Sequence, residues 1–106
     1  MKKNKKILVD MTCSLIHHGH VRILKKAYNY GKVIVALTKD EEVLKYKKFR
    51  SPLNFNQRKE ILESIRYVSK VIPSNYHISQ KFLVKNKIDF LVHGNDNKND
   101  IDKKYL

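Results

Sequence analysis

The chain has 106 residues, with 23 Lys and Arg against 10 Asp and Glu and a formal net charge of +13. That length supplies one small core, a single cysteine excludes an internal disulfide framework, and no stretch approaches the roughly 20 apolar residues that cross a bilayer. The basic excess is 19 Lys against 4 Arg, scattered along the chain, with no aromatic-rich strand for stacking bases. It argues against a nucleic-acid partner and is compatible with drawing in a nucleoside triphosphate.

The start, Met1 to Lys6, is a basic tail, and only Ile7-Leu8-Val9 separate it from Asp10. That apolar run is too short for a secretory core, so the expected compartment is the cytoplasm. Ile7 to Asp10 reads as a short buried strand. Val21, Leu24, Ala27 and Tyr28 recur at helical spacing, with Gly31 placed to end the helix. Val33 to Leu37 is apolar throughout, as expected of a strand covered on both faces. Asp40 is placed to cap a short helix that ends in Lys45-Tyr46-Lys47-Lys48, and Ser51-Pro52 marks a turn. Ile61, Leu62, Ile65 and Val68 predict a second long amphipathic helix. Val71-Ile72 predicts a short strand closed by Pro73. Ser79 caps a helix holding Phe82 and Leu83, and Phe90 to Val92 is the last strand. From about residue 97 the chain is polar, with too little apolar surface to assign an element. The alternation β-α-β-α-β-α-β predicts a single α/β domain over 1–106 with a parallel sheet and right-handed crossovers.

The chemistry gathers where the first strand hands over to the first helix, at Leu15-Ile16-His17-His18-Gly19-His20. A helix N-terminus offers unpaired N–H groups and a partial positive charge, which suits phosphate. Gly19 lets backbone approach a ligand closely. His17 and His20 add side chains that donate hydrogen bonds in either protonation state. The plainer readings are a surface histidine cluster or a fortuitous metal site, and for His20 a packing role at the helix start.

His17-His18-Gly19-His20 fits the His-x-Gly-His signature of the nucleotidyltransferase superfamily, and the chain resembles its cytidylyltransferase branch. Arg58-Lys59 through Pro73 resembles that branch's Arg-containing helix and following strand. Asp89 to Asp96 resembles its Gly-Asp-Asp-type segment. Met11 to His17, with Val92-His93-Gly94, is also similar to cytidylyltransferase domains associated with phosphonate biosynthesis. The resemblance implies a Rossmann-like three-layer fold with strand order 3-2-1-4. It implies transfer of CMP from CTP to a small phosphate- or phosphonate-bearing acceptor, with Mg²⁺ carried by the nucleotide and a homodimer as the assembly. Adenylyl transfer from ATP is the enzymatic alternative, because the tetrad handles phosphate and does not read the base. A catalytically weak or truncated nucleotide-binding domain is the other.

The resemblance assigns His17 and His20 to charge on the triphosphate, and Thr12 to nucleotide. Met11, Cys13 and Ser14 depart from the common Gly-Thr-Phe-Asp version, and Cys13 reads as a packing residue before a nucleophile. Lys45 and Lys47 lie in a basic stretch able to close over phosphates, or simply on a solvated face. Arg58 has no carboxylate three or four residues on, which favours a bidentate phosphate grip over an ion pair within its helix. Gly94, Asn95 and Asp96 are expected near base and ribose, and His93 is as much a packing as a functional candidate. The branch normally continues into an Arg-Thr-x-Gly-Ile-Ser-Thr segment that is absent here. This predicts weak nucleotide binding by the chain alone, and an open edge beside the last strand, filled by another chain or by residues outside the sequence.

Overall fold

The computed structural model describes residues 5–93 and the strand Ile101–Asp102; Gly94, Asn95 and Asp96 lie outside the described residues. The elements run β1 (Lys6–Met11), α1 (His18–Tyr28), β2 (Lys32–Thr38), α2 (Asp40–Lys47), α3 (Phe55–Glu63), β3 (Val68–Ser74), α4 (Gln80–Lys85), β4 (Phe90–His93) and β5 (Ile101–Asp102). They build one sheet in the order β3-β2-β1-β4-β5, parallel from β3 to β4. The expected order 3-2-1-4 is therefore present.

Alternation along the strands explains the three layers. On one face Ile7, Val9 and Met11 of β1 join Val33, Val35 and Leu37 of β2. Ile23, Leu24 and Ala27 of α1 and Leu62 of α3 cover them. On the other face Leu8, Ile34, Ala36 and Leu91 pack against Leu83 of α4 and against Ile88. β1 is fully buried at Ile7, Leu8 and Val9 because both its faces are covered. Asp89 fixes the alignment of β4 beside β1: its Oδ2 accepts the Lys6 N–H at 2.8 Å, while its own N–H donates to the Lys6 carbonyl at 2.9 Å. Among the described residues no helix is long and apolar enough to cross a membrane.

Several local expectations need correction. The helix predicted from Ile61 to Val68 ends at Glu63, and Val68 opens β3. Gly31 does not end α1, whose C-cap is Asn29. A side chain at Gly31 would place its Cβ 2.5 Å from the Lys5 carbonyl oxygen, so close backbone approach is what requires glycine there. Asp40 is the first residue of α2 and not its cap; Lys39 holds the cap position with no side-chain hydrogen bond. The edge expected to be open beside β4 carries β5, paired antiparallel through Leu91↔Asp102 and Val92↔Ile101. Backbone pairing with β4 places that two-residue strand, which has no apolar pattern of its own to announce it.

Candidate nucleotide site

Parallel sheets of this kind bind ligands beyond the carboxyl ends of the strands, where strand order reverses. Here the reversal lies at β1, the central strand, which has β2 on one side and β4 on the other. The loop after β1 leads to His17, the N-cap of α1, whose extended backbone (φ −139°, ψ −177°) sets the helix entry. The two histidines cap the helix reciprocally. His17 Nδ1 accepts the Gly19 N–H at 3.0 Å, and His20 Nδ1 accepts the His17 N–H at 3.1 Å. A backbone N–H can only donate, so Nδ1 of each ring is the acceptor and the ring proton sits on Nε2. The pair thus presents two Nε2–H donors from rings whose centroids are 4.1 Å apart.

Gly19 serves this arrangement in an unexpected way. A Cβ at residue 19 would lie 2.9 Å from His17 Cε1 and 3.2 Å from its Nδ1. Glycine leaves room for the His17 ring, whether or not a ligand approaches the backbone there.

The two rings differ in exposure. His17 is exposed, whereas His20 is 8% exposed. Burial, reinforced by His17 nearby, pushes the His20 pKa below its ordinary 6.5. The unfolded chain therefore takes up this proton more readily than the folded one. Stability from neutral His20 is complete above about pH 6.5 and is lost as pH falls from there through the lowered folded value. Thermal melts from about pH 7.5 down to about 5.5 are expected to show a falling Tm, and a shallower fall in His20→Asn. Equal slopes in the two proteins would remove His20 as the cause.

Thr12 is 5% exposed, and its Oγ1 finds no hydrogen-bond partner among the described residues. A buried hydroxyl in that state beside the histidine loop is a plain candidate for a ligand contact. Met11 and Cys13 belong to the core by their side chains, so contact with a nucleotide from these two positions would come from backbone. Burial raises the Cys13 thiol pKa to about 12, against a smaller opposing effect of Arg58, which leaves no thiolate for nucleophilic attack near neutral pH. Its left-handed backbone (φ 53°) turns the chain out of β1. Lys45 and Lys47 are exposed on α2. Their ammonium groups rest over the rings of Tyr46 (5.2 Å) and Tyr76 (5.7 Å), within cation–π range.

Arg58 departs most from expectation. The sequence predicts an open phosphate grip, yet Arg58 is 0% exposed and is the bulkiest of the fully buried side chains. Its Nε donates to the Leu53 carbonyl (3.1 Å), and Nη1 donates to the Thr12 (2.7 Å) and Thr38 (2.9 Å) carbonyls. Nη2 pairs with Asp40 Oδ1 at 2.6 Å. In this structure the guanidinium is directed onto protein acceptors and away from any open phosphate path. The carboxylate that α3 lacks three and four residues after Arg58 is supplied by α2.

A second pair escaped sequence reasoning. His93 Nδ1 lies 3.2 and 3.3 Å from the two Asp10 carboxylate oxygens, where the ends of β1 and β4 stand in register. The signal was present in the chain: Ile-Leu-Val-Asp and Phe-Leu-Val-His each close an apolar strand with one titratable residue at the same offset.

With this geometry in view, the cytidylyltransferase-like family pattern matches residues 12–105. The chain belongs to the cytidylyltransferase-like family. It is similar to the glycerol-3-phosphate cytidylyltransferase of Bacillus subtilis (strain 168), with 33% identity over 93 residues, 87% of this chain and 72% of that protein. It is also similar to the ethanolamine-phosphate cytidylyltransferase of Mus musculus, with 33% identity over 95 residues, covering 86% of this chain and 23% of that protein. Among solved structures, the lipopolysaccharide core biosynthesis protein from Thermoplasma volcanium GSS1 shares the fold, with a TM-score of 0.73 at 17% identity. That match covers 83% of this chain and 72% of that one. Family membership makes this chain a nucleotidyltransferase, and the matched span includes the reciprocally capped histidines.

Proposed function

We propose that this cytidylyltransferase-like chain transfers CMP from CTP to a small acceptor bearing a phosphate or phosphonate group. A phosphoryl oxygen of the acceptor attacks the α-phosphorus of CTP and forms the new P–O bond. The bond from that phosphorus to the bridging oxygen breaks, and its electron pair leaves with pyrophosphate. The protein's part is alignment and neutralisation of developing charge. His17 and His20 donate from Nε2 to triphosphate oxygens at the N-terminus of α1, where the helix dipole adds to the attraction. Thr12 Oγ1 takes a phosphate oxygen, and Lys45 and Lys47 leave their aromatic rests to reach the triphosphate. CTP enters as its magnesium complex, with the cation carried by the substrate. A cytoplasmic reaction and a homodimeric assembly are part of the same proposal, as are contacts from Gly94, Asn95 and Asp96 to the base and ribose.

The observation that carries this reading is the pair of Nε2–H donors fixed by backbone at a helix start. Such donors need no reorganisation when a phosphate arrives. The relatives supply the choice of CTP and of a phosphorylated acceptor. Calorimetric titration with the magnesium complexes of CTP and ATP tests the base. CTP is expected to bind at least about tenfold more tightly, since a site that hydrogen-bonds one base leaves its polar groups unpaired with the other. Equal affinities would reduce the site to a general triphosphate cradle and restore adenylyl transfer as an equal reading.

A further inference from the structure

The buried guanidinium of Arg58 joins segments that are far apart in sequence. Thr12 opens the loop that leads to His17, Thr38 ends β2, and Leu53 precedes α3. Asp40 is the first residue of α2, the helix that carries Lys45 and Lys47. Asp40 closes the arrangement on itself, because its Oδ2 accepts the N–H of Phe55, the first residue of Arg58's own helix, at 3.0 Å. Helix α2 has little other purchase on the domain. Val43 is its one buried residue. Its remaining described ties are to the segment after β3, where Glu42 accepts the Tyr76 N–H at 2.9 Å and Tyr46 stacks on Tyr76 at 4.9 Å.

We propose that Arg58 and Asp40 form a positioning pair that locks the Thr12 loop to helix α2, so that two phosphate-handling elements are set relative to each other by one buried guanidinium. The planar fork makes this possible. Nη1 reaches the Thr12 and Thr38 carbonyls together while Nη2 holds the carboxylate, which fixes the Thr12 peptide against the start of α2. A lysine ammonium has no such plane and would not span the four acceptors. The arrangement also bears on Thr12 itself. Its carbonyl is tied down while its buried Oγ1 keeps no partner among the described residues. The loop is thereby held in one conformation with a hydroxyl available. The consequence for nucleotide binding rests on the proposed function, whereas the mechanical coupling does not.

Because loss of Arg58 threatens the fold itself, the test uses Asp40→Asn. This substitution keeps the side-chain shape and an oxygen for the Phe55 N–H and removes the charge. Hydrogen exchange of the full, ligand-free chain is expected to speed up in residues 12–17 and 40–47 together, with α4 unchanged. Faster exchange confined to 40–47 would overturn the coupling. Titration with magnesium–CTP is then run on Asp40→Asn, on Lys47→Ala and on the double variant. Each single change is expected to weaken binding roughly tenfold, and the double variant to fall well short of the product of the two. Independent, multiplying effects would show that Asp40 does not act through the placement of α2, as a merely structural residue would not. If the parent chain binds no CTP, the nucleotide reading fails by itself, and the exchange pattern still decides the coupling.

Discussion

Replacing either His17 or His20 by alanine is expected to lower nucleotidyl transfer about 10²–10³-fold, with the fold retained. The size follows from preorganisation. Each ring is oriented by a backbone N–H on Nδ1, so each Nε2–H stands ready before the triphosphate arrives. The two substitutions differ in their secondary effects. His17→Ala removes the cap on Gly19 and lets the exposed loop relax. His20→Ala removes a ring that is 8% exposed, together with the acceptor for the His17 N–H, and is expected to cost more stability. Steady-state rates at saturating CTP, read beside circular dichroism melts, separate loss of chemistry from loss of fold. Turnover within tenfold of the parent in both variants would show that the pair is only a helix cap.

Arg58→Ala is expected to be strongly destabilising, by about 3–5 kcal/mol, mostly from the cavity and the unpaired carbonyls because the Asp40 side chain is itself 48% exposed. It strands the Asp40 carboxylate, leaves the Thr12, Thr38 and Leu53 carbonyls without a donor, and opens a cavity the size of the bulkiest fully buried side chain. In a domain of this length that corresponds to a fall in Tm on the order of 15 °C or more. The neighbouring Lys59 provides the contrast. Its pair with Glu63 at 3.0 Å joins two side chains that are 37% and 43% exposed. Lys59→Ala is expected to change stability by less than about 0.5 kcal/mol. Urea unfolding of the two variants side by side checks the ranking, and an Arg58→Ala loss below about 1 kcal/mol would contradict the buried clamp.

The features legible in the sequence were those that depend on near neighbours. Ile7 to Val9 and Val33 to Leu37 announce covered strands by being apolar without alternation, and Ser79 announces the helix it caps, accepting the Phe82 N–H at 3.1 Å. The end of α3 was hidden because Ile65 and Val68 continue a helical spacing while belonging to the turn and to β3. Both rest on the same core face as Leu62, and no Gly or Pro breaks the run from Ser64 to Tyr67. Strand order came from family resemblance and not from the residues, since four apolar strands leave their pairing open.

At the site, the placement of His17 and His20 at a helix start was legible because their contacts lie within four residues, whereas the room that Gly19 leaves for the His17 ring was not. Nor was Arg58. Its partners sit 46 and 20 residues away at Thr12 and Thr38, and a fork of donors looks the same in sequence whether it meets phosphate or carbonyls. The Asp10–His93 pair spans 83 residues and exists only because β4 lies against β1.

The central claim is that the histidine loop serves transfer of CMP to a phosphate-bearing acceptor. The most direct test is the release of pyrophosphate from magnesium–CTP by the purified chain, with sn-glycerol 3-phosphate and ethanolamine phosphate supplied in turn. The account predicts pyrophosphate release that requires one of these acceptors, is matched by an equal yield of the corresponding CDP-linked product, and falls at least about a hundredfold in His17→Ala. Pyrophosphate released at the same rate without acceptor, or product formed equally well by His17→Ala, would contradict it.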